Sequence, residues 1–381
     1  MSIHERNNWT DFRWDSGKLS AILGNTRHLQ GRLLGRLDAL GFPLTEEATL
    51  LSLTMDAVDT SRIEGEFLDP EQVRSSIARK MGIENVEFVA ASRNVDGIVD
   101  MLLDATQRFA EPLSRERLCG WHNALFQSGY GGVTKIDVAR YRSVGMKVVS
   151  GALGREKVHF AAPEPERVPA EMEKFLEWFN ADCGSGARAV SIDPILKAAI
   201  AHLWFVTIHP FDDGNGRIAR AIMDMQLARG DNSPIRFYSM SNRIYGEHRR
   251  YNDIIERTQR GDGDITLWLE WFLNCFERAL LESEQTLKII LDKARFWDKN
   301  REIPVNARQR SVINHLYGNY GKSIEFLRTS AYAKLAGCST DTALRDLQDL
   351  VSKGMLSVDD SGKKTHYLLV SPANIRIPKG N

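Results

Sequence analysis

HPFDDGNGRIAR, residues 209–220, packs one histidine, two acids, two glycines and two arginines into twelve positions directly after an apolar segment. Residues 193–208 read as a helix ending near Thr207-Ile208, and 217–229 as the next helix, stopped by Gly230. The loop thus leads into a helix N-terminus, where unpaired backbone N–H groups and the positive end of the helix dipole favour anions. Gly214 and Gly216 carry no side chain, so a phosphate can approach the backbone there. Arg217 and Arg220 stand three apart on one helical face and can grip further phosphate oxygens. Asp213 is the hard oxygen donor that Mg²⁺ takes when it also binds substrate phosphates. His209 titrates near neutrality when unperturbed and is the candidate general base. Phe211, between polar neighbours, is best used as a buried anchor for the loop.

Other phosphate and metal motifs fail on this chain. Its Gly-Lys-Ser, residues 321–323, has Leu316 where a P-loop needs its first glycine. An EF-hand begun at Asp212 puts Gly214 at its third position, and one begun at Asp213 puts Arg217 at its fifth. No second His, Cys or Glu stands at ligand spacing from His209, which argues against zinc.

Most of the remaining chain has helical periodicity. Helices are expected over 17–40 with Gly41 as its stop, from about 45 to 65, and over 70–80, 85–109, 114–127, 167–180, 243–258 and 265–296. Between 140 and 163 apolar and polar residues alternate around Gly151–Gly154, which predicts a β-hairpin. From about 305 the pattern is helix, turn at Gly337-Cys338, a second amphipathic helix and two short strands around Asp359–Lys364, similar to a winged-helix module. A chain of 381 residues suits two or three domains. Their expected spans are 1–110, 111–296 and 305–381. The 50 basic residues balance 50 acidic ones, which argues against wholesale binding to nucleic acid or an anionic membrane. No segment approaches the ~20 apolar residues of a membrane helix. Cys119, Cys183, Cys275 and Cys338 form no C-x-x-C pair. With no signal-like pattern in MSIHERNNWTDFRW, reduced thiols in a cytoplasmic protein are the expectation.

The stretch at 209–220 resembles the Fic motif, H-P-F-x-[DE]-G-N-G-R-x-x-R, and matches all of its fixed positions. The resemblance implies a mostly α-helical Fic core with a hairpin flap, and a protein adenylyltransferase. ATP and Mg²⁺ would be the small-molecule requirements, with Asp213 holding the metal on the α- and β-phosphates. The 214–216 backbone and Asn215 would cradle phosphates, Arg217 and Arg220 would take the β and γ groups, and His209 would deprotonate a Ser, Thr or Tyr hydroxyl of the target protein.

A second stretch, DTSRIEGE (59–66), matches the [ST]-x-x-x-E-[GN] inhibitory helix of Fic relatives through Thr60, Glu64 and Gly65. It implies that Glu64 pairs with Arg220, takes the place of the γ-phosphate and restrains the enzyme. The hairpin at 147–162 falls where relatives carry a flap that receives target backbone by β-augmentation, with Val158 and Phe160 facing either the target or the core. NRIYGEHRRYNDIIERTQRGD (242–262) resembles the nucleotide-side helix, with Tyr251 stacking on or bonding near adenine and Asn252 beside it. His202 reads as a hydrogen-bonded core histidine, and Trp9, Phe12 and Trp14 as packing residues. The C-terminal module has nine Lys/Arg against six Asp/Glu between Arg308 and Ser371, and its second helix offers Arg345 against Asp341, Asp346 and Asp349. DNA binding, homodimerisation and self-modification are left open by these patterns. So are removal of AMP, transfer of another phosphate-containing group, and a nucleotide-sensing DNA-binding regulator.

Overall fold

The computed structural model describes residues 2–84, 86–150, 157–181, 192–318, 327–359 and 365–370. Chain contacts divide it into two units, 1–283 and 284–381. The first runs α1 (Ser16–Asp38), α2 (Phe42–Ile63), α3 (Pro70–Met81), α4 (Arg93–Gln107), α5 (Arg115–Leu125), β1 (Tyr130–Gly131), β2 (Thr134–Lys135), β3 (Lys147–Ser150), β4 (Lys157–Ala161), α6 (Val168–Asn180), α7 (Pro194–Ile208), α8 (Asn215–Asp231), α9 (Met240–Gly246) and α10 (His248–Gln259). α11 (Thr266–Lys299) leads into the second unit, with α12 (Ala307–Gly318), α13 (Thr329–Ala336), α14 (Thr340–Ser352), β5 (Leu356–Asp359) and β6 (His366–Leu369).

The sequence around the motif dictates the centre of the first unit. α7 is apolar on every side, and every residue from Ile195 to Ile208 is buried. A helix without a polar face has to be surrounded. α8 packs along it, α6 sets Phe175 against Trp204 and Phe205, and the start of α11 stacks Trp268 on His202. Trp9, 6% exposed, meets Trp204 and Phe12 edge-on, and its indole N–H donates to Glu171.

Several boundaries differ from the periodicity. Gly41 opens α2 as its N-cap, with Pro43 in the first turn, rather than closing α1, which ends at Asp38. Residues 86–92 are not helical. Val89 N–H donates to Ser75 Oγ and Ser92 N–H to Gln72, so the segment is bound to α3, and Ser92 then caps α4. The expected helix over 243–258 breaks at Glu247, which joins α9 to α10 at φ −121°. Gly230 lies inside α8, whose stop is Asn232 in the left-handed region.

β3 and β4 pair antiparallel from Lys147↔Ala161 to Ser150↔Lys157, while the hairpin tip Gly151–Gly154 lies outside the described residues, as does Cys183. The register shifts between Val148 and Val149, which places one extra residue, His159, on β4. That bulge breaks the alternation. Val158 stays 44% exposed, whereas Phe160 is buried against the edge of His4. Phe160 therefore belongs to the core and not to a target-facing surface.

In the second unit α12, α13 and α14 enclose Val312, Ile313, Leu316, Tyr332, Leu347 and Leu350. β5 pairs antiparallel with β6, Leu356↔Leu369 to Asp359↔His366, and the 360–364 turn between them lies outside the described residues. Asp346 accepts from Arg308, Asn306 and Tyr332, and Asp349 accepts from Gln309 and Lys353, so two of the three aspartates of α14 are committed internally, while Asp341 is exposed in its first turn. Among the described residues no helix is long and apolar enough to cross a membrane.

Candidate active site

α8 begins at Asn215, two residues earlier than the periodicity suggests, with Gly214 as its N-cap at φ 78°. A side chain at Gly214 would meet the Phe126 ring at 2.8 Å, so glycine is required for both conformation and space. No side chain caps this helix end, and its first N–H groups are left to a ligand. Phe211 is fully buried beneath the loop, stacked on His122 with ring centroids 4.3 Å apart and close to Tyr141.

Asn215 closes the loop from inside. Its Nδ2 donates to the Phe211 carbonyl at 2.8 Å and its Oδ1 accepts from the Phe211 N–H at 3.0 Å. The side chain is thus spent on the loop and only its backbone faces a phosphate, which corrects the cradling role implied for it. Asn215→Ala would orphan both buried groups. It is expected to cost about 1–3 kcal/mol, read as a shifted midpoint in urea unfolding.

His209 ends α7 in the left-handed region, at φ 53° and ψ 60°. Its Nδ1 lies 3.3 Å from the Val206 carbonyl, which can only accept, so Nδ1 carries the proton and Nε2 is the free base. Burial pushes the imidazole down to about 4, with Arg142 adding to the shift and the Val206 carbonyl, Glu64 and Asp213 opposing it. At neutral pH it is uncharged. His202, also pushed down by burial, to about 3, bonds through Nε2 to the Tyr251 hydroxyl at 2.8 Å and stacks on Trp268.

Tyr251 corrects another expectation. It is 7% exposed, packed against Trp268 and Trp271 with its hydroxyl on His202, so no ring face is open for stacking on a base. Asn252 beside it is exposed. Asp213 is exposed too, and its Oδ2 lies where a side chain on Gly131 would come within 2.7 Å, so the β1–β2 turn borders this carboxylate.

The two arginines are both engaged by the chain that follows α2. Arg220, 1% exposed, donates from Nε to Thr60 Oγ1 (2.7 Å) and from Nη2 to the Thr60 carbonyl (2.9 Å) and Glu64 Oε1 (2.7 Å). Arg217 donates to Glu66 Oε2 at 2.9 Å, and Asn94 of α4 holds the other oxygen of Glu66 at 2.9 Å. The Glu64 carboxylate also lies directly over Gly216, in the space a Cβ there would fill. Gly65, at φ 80°, turns the chain between the two acids. Contacts rise in steps of four along both helices. Glu64 meets Gly216 and Arg220, Thr60 meets Arg220, and Asp56 shares Arg236 with Asp224.

Three residues escaped the sequence reading. Glu66 had a signal, the second acid of E-G-E. His122 and Arg142 had none, because only the fold brings α5 and the segment before β3 to the motif. His122 is buried, accepts from the Ala139 N–H at 3.1 Å and is pushed down to about 4 by burial.

Comparison with known proteins gives this geometry a context. Residues 112–227 match the profile of the Fic/DOC family, and residues 2–83 match a domain of unknown function, DUF4172. A protein adenylyltransferase Fic from Culex quinquefasciatus is 27% identical over 227 residues, covering 57% of this chain and 39% of that protein. Protein adenylyltransferase fic-1 from Caenorhabditis elegans is 37% identical over 185 residues, covering 46% and 32%. The chain thus spans about two fifths or less of the length of these relatives. A Fic family protein from Desulfovibrio desulfuricans G20 superposes with a TM-score of 0.52 at 19% identity, over 95% of this chain and 97% of the other, which shows a shared fold.

Proposed function

The chain carries a Fic/DOC domain at residues 112–227, and from that premise we propose that it is a protein adenylyltransferase held in check by its own α2–α3 connection. One observation carries the reading. A glycine-lined helix N-terminus, two arginines and a neutral histidine converge, and two carboxylates of the same chain occupy both arginines. Carboxylates in these positions mimic phosphate oxygens, so the arrangement supports a polyphosphate as the natural occupant.

In the proposed reaction the target hydroxyl gives its proton to His209 Nε2 while its oxygen attacks the α-phosphorus of ATP. The bond from that phosphorus to the bridging oxygen breaks, and pyrophosphate leaves with the electron pair. Arg217, Arg220 and the first N–H groups of α8 take the charge on the departing phosphates. Among the described residues no group of three or more His, Cys, Asp or Glu is placed to hold an ion. Asp213, an exposed carboxylate beside the β1–β2 turn, would hold Mg²⁺ together with the nucleotide's own phosphates, where the ion would neutralise phosphate charge. For the second unit, three helices followed by a two-stranded sheet support the winged-helix reading.

The test uses ATP labelled at the α or the γ phosphate. Label reaching protein from the α position alone supports adenylyl transfer; label from the γ position would replace it with phosphoryl transfer. Glu64→Gly frees Arg220 and the space over Gly216, and is expected to raise transfer about tenfold or more. Glu66→Ala frees Arg217 and should add a smaller gain, about threefold. Equal rates in wild type and both variants would remove the inhibitory assignment. A second reading, removal of AMP by water, is favoured by one observation, that Glu64 is close enough to His209 to raise its proton affinity. It predicts loss of label from pre-modified protein in wild type and not in Glu64→Gly.

A further inference from the structure

Arg142 is 2% exposed and forms no salt bridge among the described residues. Glu164, Asp212 and Glu166 favour its charge from beyond contact distance, and the desolvation of a buried cation has to be offset by closer partners as well. Here backbone oxygens do so. Nε donates to the His209 carbonyl at 2.8 Å, Nη1 to Val144 at 2.9 Å, and Nη2 to Pro163 at 2.5 Å with a longer contact to Ile208 at 3.5 Å. The Arg142 N–H donates to the Pro210 carbonyl at 2.9 Å.

These acceptors belong to two parts of the site. Ile208 and His209 end α7, where carbonyls lack helical partners and the dipole favours a cation. Val144 precedes β3 and Pro163 follows β4, so they are the two roots of the hairpin. A planar fork of five donors can span all four oxygens, which a lysine ammonium cannot. His209, in a backbone region that non-glycine residues seldom occupy, needs such support.

We propose that Arg142 is a positioning residue that holds the His209 base at a fixed distance from both roots of the β3–β4 hairpin, so that a segment laid on the hairpin presents its hydroxyl to Nε2. The inference rests on the proposed roles of His209 and the hairpin. Misplacement by about 1 Å is enough to lower a rate about a hundredfold.

The experiment uses the full chain carrying Glu64→Gly, with Arg142→Gln, Arg142→Lys or no second change. Both variants are expected to lower kcat, the glutamine about a hundredfold and the lysine less, with KM for ATP within about twofold. A purely structural role would lower the amount of folded enzyme and not this ratio. The second readout is the NMR titration of the His209 ring, which needs no activity. Arg142, Glu64 and Asp213 are the charged groups that act on this ring. With Glu64 already removed, loss of the Arg142 charge should move the midpoint upward, and the lysine variant should keep it nearer the parent. If the glutamine variant fails to fold, the lysine variant decides. Unchanged kcat in a folded variant, or an unmoved His209 midpoint in both, overturns the proposal. If His209→Ala leaves transfer intact, the base reading fails instead, and the titration still reports on the Arg142 link.

Discussion

Alanine at position 209 is expected to lower adenylyl transfer about 10²–10⁴-fold while leaving ATP binding within about twofold. The Val206 carbonyl fixes the proton on Nδ1, so Nε2 is a free acceptor before any substrate arrives. Burial keeps the ring uncharged at neutral pH. Neither His202 nor His122 can substitute: Nε2 of His202 is bonded to Tyr251, and His122 is buried under the loop with its ring against Phe211. A pH series adds a sign. The active form is the neutral ring, which predominates above its midpoint, so kcat/KM for ATP should stay level from pH 7 down to about 5 and fall only on approaching about 4. A fall centred near 6.5 would mean an unburied base, and the site would have to be redrawn. The measurement is transfer of α-labelled AMP by Glu64→Gly with and without His209→Ala, together with nucleotide binding by both.

What the sequence made legible follows from locality. HPFDDGNGRIAR lies within one loop and one helix turn, so its glycines, arginines and histidine could be read together, and α7 and α8 were visible from apolar runs on either side. Phe211 as an anchor was legible because an aromatic next to two acids in a loop has few other uses. The misreadings come from long-range facts. Nothing local shows that Asn215 turns back on Phe211, that Tyr251 points at His202, or that a bulge at His159 sends Phe160 inward. Arg142 and His122 reach the motif from segments 67 and 87 residues before His209, and no periodicity carries that information. Helix boundaries failed at Ser92, whose side chain caps α4, and at Glu247, where the backbone turns between α9 and α10 with no side-chain cap.

Arg236→Ala is expected to destabilise the protein by about 3–5 kcal/mol, the cost of leaving buried charge uncompensated. Arg236 lies between Asp56 of α2 at 2.7 Å and Asp224 of α8 at 2.5 Å, and all three side chains are almost wholly buried. Ser239 Oγ and Ser241 N–H also donate to Asp56, so the group joins α2, α8 and the start of α9. Two acids share one base, and burial pushes Asp224 up to about 7, against the attraction of Arg236. The sign follows. A folded acid with a raised pKa holds a proton that the unfolded chain has released, so its contribution to stability falls as pH rises from about 4 to about 7. Without Arg236 the two carboxylates lose their counter-ion, and the variant should lose further ground with rising pH. Urea unfolding of the full chain at pH 5 and pH 8 measures both effects. A midpoint change worth less than about 1 kcal/mol at either pH would mean that these charges do not hold the helices together. A triple variant, Arg236→Met with Asp56→Leu and Asp224→Leu, separates charge from packing. It removes every ion at once and should regain most of the loss, because a buried ion pair is often no more stable than an apolar replacement of similar size. Asp56, Thr60 and Glu64 stand on one face of the end of α2, opposite Asp224, Arg220 and Gly216. The buried charges therefore sit two helical turns below the carboxylate proposed to restrain the site. If Arg236 sets that alignment, its loss should also release part of the inhibition in whatever fraction remains folded, raising transfer in the direction of Glu64→Gly.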